Sequence, residues 1–210
     1  MKLLIVAATL MEIEPLIDSS VMQKCRLMIT GVGAVATTYH LTRLLVDDKA
    51  ELIIQAGIAG AFDDSLALGT VVMVKQDRFA DLGVEENSEW KDVFDLGLVK
   101  ADDEPFNNAW LVNKHEKISK QGLPLVSGIT INEITTSPSR IQGYRNKYQP
   151  LIESMEGAAL HFVCLQLGIP FIQLRAISNY VGERDKSKWN MRLAIANLNR
   201  ALIKIIEDLA

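Results

Sequence analysis

Disulfide and metal chemistry have little to work with in this chain, which carries two cysteines and three histidines in 210 residues. Cys25 and Cys164 lie in apolar surroundings with no motif spacing. That is the pattern of a reduced protein, and a cytoplasmic location is expected. His40, His115 and His161 are scattered without the spacing of metal ligands, so no metal site is expected. His161 reads as a packed side chain. No Lys/Arg cluster offsets the net charge of −4, which argues against a nucleic-acid partner. No apolar run approaches the length of a membrane span. The run Leu3–Ala8 is short, and Glu12, Glu14 and Pro15 follow where a signal peptide needs small residues. What remains, with 49% hydrophobic and 23% charged residues, is the balance of a globular protein with a sizeable core. No repeat, low-complexity tract or linker divides it, so a single domain over 1–210 is expected.

Continuous apolar runs predict buried strands at Lys2–Ala8, Arg26–Thr30, Leu52–Ala56, Thr70–Val74, Leu125–Ile131 and Phe171–Ile177. Gly128 inside the fifth suggests a bulge or a close backbone approach. Helical spacing predicts a short helix with Pro15 near its start and Leu16 and Ile17 inward. A second helix covers Ala34–Val46, with Val35, Leu41, Leu44 and Leu45 on one stripe. Two more are expected at Asn107–Gln121, closed by Gly122 and Pro124, and at Ser139–Lys147. A long amphipathic helix runs from Lys188 to Leu209, with Trp189, Leu193, Ala196, Leu202, Ile205, Ile206 and Leu209 inward. Strands alternating with helices give an α/β fold: three αβα layers around a central, largely parallel but mixed sheet. The segment Gln76–Asn108 is acidic, yet Phe79, Leu82, Trp90, Phe94, Leu96 and Phe106 run through it. It is expected to pack on a partner subunit or over a site.

Ligands in such sheets gather beyond the carboxyl ends of the strands. Glu12, Gly31, Gly57, Thr130, Glu156 and Asn179 each lie just past a predicted strand. The stretch Leu151-Ile-Glu-Ser-Met-Glu-Gly-Ala-Ala-Leu160 hands a short apolar run to a small-residue helix start, with Met155 and Glu156 on the turn. A carboxylate there can accept from both hydroxyls of a ribose diol, although first-turn acids also occur for dipole reasons alone. Gly31-Val-Gly-Ala-Val-Ala36 resembles a dinucleotide-binding turn, which would make the protein an oxidoreductase. The acid some twenty residues on, Glu51, precedes the next strand instead of closing it, so Gly33 is better read as part of a turn close to a small ligand. Glu12 is either a surface acid or a general base for water. Arg175, inside a buried strand, requires a partner.

Five segments, in order, resemble the purine nucleoside phosphorylase/nucleosidase superfamily. They are Ala8-Thr-Leu-Met-Glu12-Ile, Thr30-Gly-Val-Gly33, Ala56-Gly-Ile-Ala-Gly60, Ser154-Met-Glu156-Gly-Ala and Arg175-Ala-Ile-Ser-Asn179. The resemblance is strongest to the hydrolytic branch, which includes the methylthioadenosine/adenosylhomocysteine nucleosidases. Within that branch, Phe79-Ala-Asp-Leu-Gly83, Phe94-Asp-Leu-Gly97 and Gly182-Glu-Arg-Asp185 look like the futalosine hydrolases of an alternative menaquinone pathway. The resemblance implies that Glu12 activates water, that Met155 and Glu156 bind the ribose, and that Arg175 orients the water and nearby acids. It implies that Thr130, Ile131 and Asn132 hold the purine through main-chain groups, with Ile58, Ala59, Gly60 and Gly33 lining the substrate. It implies no cofactor, a small purine nucleoside as substrate and a homodimer. Two departures sharpen it. Adenine-specific members carry aspartate where Asn179 stands, and an amide donor suits a 6-oxo base such as hypoxanthine. Phosphorylases place arginine and serine around the Ala56–Gly60 turn, whereas Gln55 and Ile58 supply neither cation nor hydroxyl, which favours water as nucleophile. A methylthioadenosine nucleosidase, a phosphorylase, a non-catalytic nucleoside-binding module and an oxidoreductase remain the alternatives.

Overall fold

The structure is a computed structural model that describes residues 2–87, 89–115 and 122–209. Strands β1 (Leu3–Ala7), β2 (Arg26–Ile29) and β3 (Leu52–Ala61) begin a mixed sheet, with β1 parallel to both neighbours. Strands β4 (Val71–Asp77), β8 (Leu125–Thr130), β9 (Ile152–Ser154) and β10 (Phe171–Tyr180) continue it. The order is β10-β4-β8-β9-β3-β1-β2, and β10 also pairs with β3, so that half of the sheet curls round on itself. Val72, Val74, Val126, Ile152 and Ile177 fill the inside of this curl.

Alternation along the strands decides what each layer buries. Leu3, Ile5 and Ala7 face helices α1 (Leu10–Ile17) and α5 (Met191–Leu209), while Leu4 and Val6 face α2 (Ala34–Asp47) and α4 (Gly157–Leu167). Helix α3 (Pro138–Tyr148) packs Tyr144 and Tyr148 against Phe62, Ala80, Ile129 and Ile131.

Several sequence expectations shift. Pro15 lies inside α1, not near its start, because the capping residue is Thr9. Strand β3 does not stop at Ala56; it continues through Gly57–Ala61 in register with β10. Helix formation over Asn107–Gln121 fails at its start. Asn108 and Ala109 take positive φ, and the next residues form β7 (Leu111–Val112) against β4; residues 116–121 of that expectation lie outside the described residues. In α5 the inward stripe is Ala194, Leu198, Asn199, Leu202, Ile205 and Ile206, while Leu193 and Ala196 point outward. Val35 is 82% exposed instead of sharing the α2 stripe. The bulge near Gly128 falls on the neighbouring strand, between Val74 and Gln76. Gly128 itself is a close approach, with a hypothetical Cβ 3.2 Å from Asp77.

The acidic excursion contains a hairpin, β5 (Gly83–Glu86) with β6 (Glu89–Asp92). Its aromatics turn back on their own chain. Trp90 donates to the Tyr148 hydroxyl (2.9 Å), Phe94 meets Phe106 edge to face, and Phe106 reaches Phe162. Arg78 is buried among Phe94, Trp110 and Tyr148 and pairs with Asp92 at 2.7 Å.

Candidate active site

Glu12 is the third residue of α1, and its carboxylate serves the helix start. Oε2 accepts from the Thr9 N–H (3.0 Å) and hydroxyl (2.9 Å), and Oε1 accepts from the Ile58 N–H (3.1 Å). A carboxylate has about four acceptor sites, so roughly one is left for another donor. The helix is held open behind it. The buried Asn199 donates to the Glu12 carbonyl (2.8 Å) and accepts from the Leu16 N–H (3.1 Å). An unbroken helix would pair those two groups with each other, and Pro15 between them is the reason it does not.

Arg175 is 1% exposed and lies on β10 opposite Gly57. Its Nη2 donates to Gln55 Oε1 (2.9 Å), and its Nη1 contacts the Ile58 carbonyl (3.3 Å) and Glu156 Oε2 (3.4 Å). A Cβ on Gly57 would lie 2.4 Å from Arg175 Nη1 and 3.0 Å from Glu12 Oε1. Strand β3 therefore needs glycine there. Glu156 caps α4, and its Oε1 accepts from the Gly33 N–H at 3.1 Å. The Gly31–Gly33 turn thus presents an amide to a protein carboxylate at the start of α2, where a dinucleotide turn would hold pyrophosphate.

Asn179 follows a register break between Ile177 and Asn179, where β10 passes β3. Its Oδ1 accepts from the Ser178 hydroxyl (2.8 Å), and its Nδ2 donates to the Tyr180 carbonyl (3.1 Å). Gly60 is its register partner, and Glu153 of β9 is the register partner of Gly60 on the other side. Glu153 is buried with Oε2 unpartnered. Burial pushes its carboxyl up to about 7, against the opposing pull of Arg184.

Glu12, Glu153, Met155, Glu156 and Asn179 share one cleft of about 220 Å³, with Ile58, Ala59, Gly60, Ile131, Arg184 and Trp189 in its walls. Of the residues singled out from sequence, Arg175 and Gly33 sit behind this cleft and act on it through Glu156. Thr130 and Asn132 do not line it. The Thr130 N–H and carbonyl pair with Arg78 and Ala80, and its hydroxyl bridges Asp77 (3.0 Å) and the Ala158 N–H (2.7 Å). Asn132 turns outward to Asp81, and the Ile131 N–H donates to the Ser154 carbonyl. The main-chain N–H groups of all three residues are taken up within the protein, and of the three Ile131 alone lines the cleft. Sequence reasoning missed Glu153 and the Asp77–Thr130–Gln173 cluster under the start of α4. Burial raises Asp77 to about 6 despite donors from Gln173 and Thr130. The available signal was an acid between Ile152 and Ser154 in a strand with no solvent face. His161 is buried outside the cleft on the Leu111 carbonyl, and burial lowers it to about 4. Among the described residues, no three of His, Cys, Asp or Glu gather as a metal site, and no helix is long and apolar enough to cross a membrane.

Three carboxyl groups lining one pocket, one of them tied to a buried arginine, with an amide in the same lining, suit cleavage of a bond between a diol-bearing sugar and a planar base. Residues 22–207 match the family model described as Phosphorylase superfamily. The chain is 30% identical over 184 residues to a futalosine hydrolase of Thermus thermophilus, covering 85% of this chain and 80% of that one. It is 31% identical over 192 residues to a 5′-methylthioadenosine/S-adenosylhomocysteine nucleosidase of Bacillus cereus, covering 87% and 80%. The fold also superimposes, with a TM-score of 0.80 and 15% identity, on a mutant of Helicobacter pylori MTAN with 5′-methylthioadenosine in its active site; 99% of this chain and 98% of that one are covered.

Proposed function

This chain belongs to the phosphorylase superfamily, and from that premise we propose that it hydrolyses the N-ribosidic bond of futalosine, releasing hypoxanthine, in menaquinone biosynthesis. The observation that carries the reading is the shared cleft of Glu12, Glu156 and Asn179. Water takes the remaining acceptor site of Glu12 and gives up a proton as the sugar becomes oxocarbenium-like. Glu156 accepts from the ribose hydroxyls, and its charge, tethered by Arg175 and the Gly33 N–H, opposes the developing cation. Asn179 presents its amide to the 6-oxo edge of the base.

Hydrolysis rather than phosphorolysis is supported at Gln55 and Ile58. The Gln55 side-chain amide oxygen accepts from Arg175, and Ile58 offers its N–H to Glu12. The methylthioadenosine reading is the second, favoured by the comparable identity to the Bacillus relative. We further propose a homodimer, through the exposed apolar side chains Val35, Tyr39 and Leu82 beside Phe79, and a reducing cytoplasm, in keeping with two free cysteines. The test is to incubate the protein with futalosine, inosine and methylthioadenosine in phosphate-free buffer and identify the released base by chromatography. Hypoxanthine from futalosine is expected; adenine release as the dominant activity would overturn the substrate assignment.

A further inference from the structure

Asn179 can hold a base but cannot give it a proton, since an amide has none to transfer near neutral pH. A purine leaves poorly as an anion, so a site that cleaves its ribosidic bond gains from an acid beside the ring. Three carboxyl groups line the cleft. Glu12 has three donors on it, and Glu156 is tied to Arg175 and the Gly33 N–H. All three are buried, but Glu153 differs in that its Oε2 meets no partner in the protein.

Its position is equally particular. Gly60 stands between Glu153 on β9 and Asn179 on β10, in register with both. A Cβ at Gly60 would lie 3.3 Å from Asn179 Nδ2 and 3.4 Å from Glu153 Cγ. In-register neighbours share one face of a sheet. The missing side chain therefore leaves a flat floor, with an amide on one flank and a carboxyl on the other.

We propose that Glu153 is the acid that protonates the departing nucleobase, beside Asn179, which holds it; this rests on the nucleoside-hydrolase reading. As the bond from the sugar C1′ to the base nitrogen breaks, its electron pair passes into the ring. A ring nitrogen takes the proton of the Glu153 carboxyl, which becomes a carboxylate. Water adds to C1′ and yields one proton to Glu12. Exchange with solvent returns a proton from Glu12 to Glu153, so the sum is nucleoside plus water going to free base plus sugar. The charged and titratable groups facing Glu153 are Arg184 beyond β10 and Tyr144 of α3, with Glu12 and Glu156 in the same cleft. Burial outweighs Arg184 and holds the carboxyl near 7, so the acid form is present at neutral pH.

The test compares two leaving groups. Futalosine releases a purine that gains from protonation, whereas p-nitrophenyl β-ribofuranoside releases a stable phenolate. Glu153→Gln should lower kcat on futalosine by about 100-fold or more and lose far less on the nitrophenyl riboside. In the wild type, kcat/KM for futalosine should fall as pH rises through about 7, and this limb should be absent for the nitrophenyl riboside. That second measurement needs no variant. Equal losses on both substrates in Glu153→Gln, or a wild-type futalosine profile flat through neutrality, would overturn the role. A wild type that opens neither substrate would overturn the hydrolase reading itself, an outcome distinct from either of these.

Discussion

Gly57→Ala adds one methyl group against the buried Arg175 guanidinium. The new Cβ would lie 2.4 Å from Arg175 Nη1, where ordinary contact begins at 3.4 Å. The guanidinium must therefore retreat by about 1 Å, since shorter approaches lie on the repulsive wall. It has nowhere neutral to go. Gln55, the Ile58 carbonyl and Glu156 hold it in place, and it is 1% exposed. Overpacking of this kind costs about 1–3 kcal/mol of stability. Because Arg175 tethers Glu156 and the same Cβ would press on Glu12 Oε1 at 3.0 Å, displacement of this order should cost about 100-fold in kcat/KM. Gly143→Ala in α3 is the control. Its Cβ meets nothing within 4 Å and its φ is not positive, so it should stabilise by about 0.4–1 kcal/mol and leave turnover unchanged. Urea denaturation and steady-state kinetics on both variants decide the matter. A Gly57→Ala protein with wild-type stability and turnover would refute the claim that Arg175, Glu12 and Glu156 form one tightly packed unit.

Three further outcomes follow from individual contacts. Asn199→Leu should destabilise by about 1–3 kcal/mol, because it leaves the Glu12 carbonyl and the Leu16 N–H unpaired and buried; it should also lower kcat more than it raises KM, and a purely thermal effect would remove Asn199 from positioning Glu12. Glu153 reaches about 7 from its ordinary 4.5, so the folded state binds the extra proton; that stabilising contribution is fully present below about pH 4.5 and lost as pH rises through 7. Glu153→Gln should therefore gain stability relative to wild type at pH 8 and not at pH 4.5, by at most about 3 kcal/mol, and a pH-independent difference in denaturation midpoints would contradict it. Asn179→Asp should shift kcat/KM toward a 6-amino nucleoside relative to its 6-oxo counterpart, by about tenfold or more for one mispaired donor; an unchanged ratio for the matched pair would remove Asn179 from base selection.

The strands were legible because buried runs such as Leu3–Ala7 and Leu52–Ile54 have no polar face. The turn residues Glu12, Glu156 and Asn179 stood out because polar groups just beyond such runs have few structural reasons to be there. Four things were not legible. Gly57 and Gly60 read as a turn, but in the fold they are strand residues whose missing side chains make room for Arg175, Asn179 and Glu153. Glu153 has no motif of its own beside Met155 and Glu156, and its burial depends on β3 and β8 closing on both sides. Local periodicity carries no such information. The same holds for Asn108 and Ala109, whose left-handed backbone prevents a helix that their sequence tolerates. In α5 the inward stripe is hidden from sequence because it includes the polar Asn199, whose partners lie in α1, far away in the chain.

The most direct measurement is the sugar product formed from futalosine by the wild type and by Glu12→Gln, with and without phosphate. The wild type is expected to give the free sugar and hypoxanthine at a rate indifferent to phosphate. Glu12→Gln is expected to keep nucleoside binding while losing about 100-fold or more in kcat, since the amide keeps the shape but cannot take a proton from water. A phosphate requirement with a sugar 1-phosphate product, or near-normal turnover by Glu12→Gln, would contradict the account.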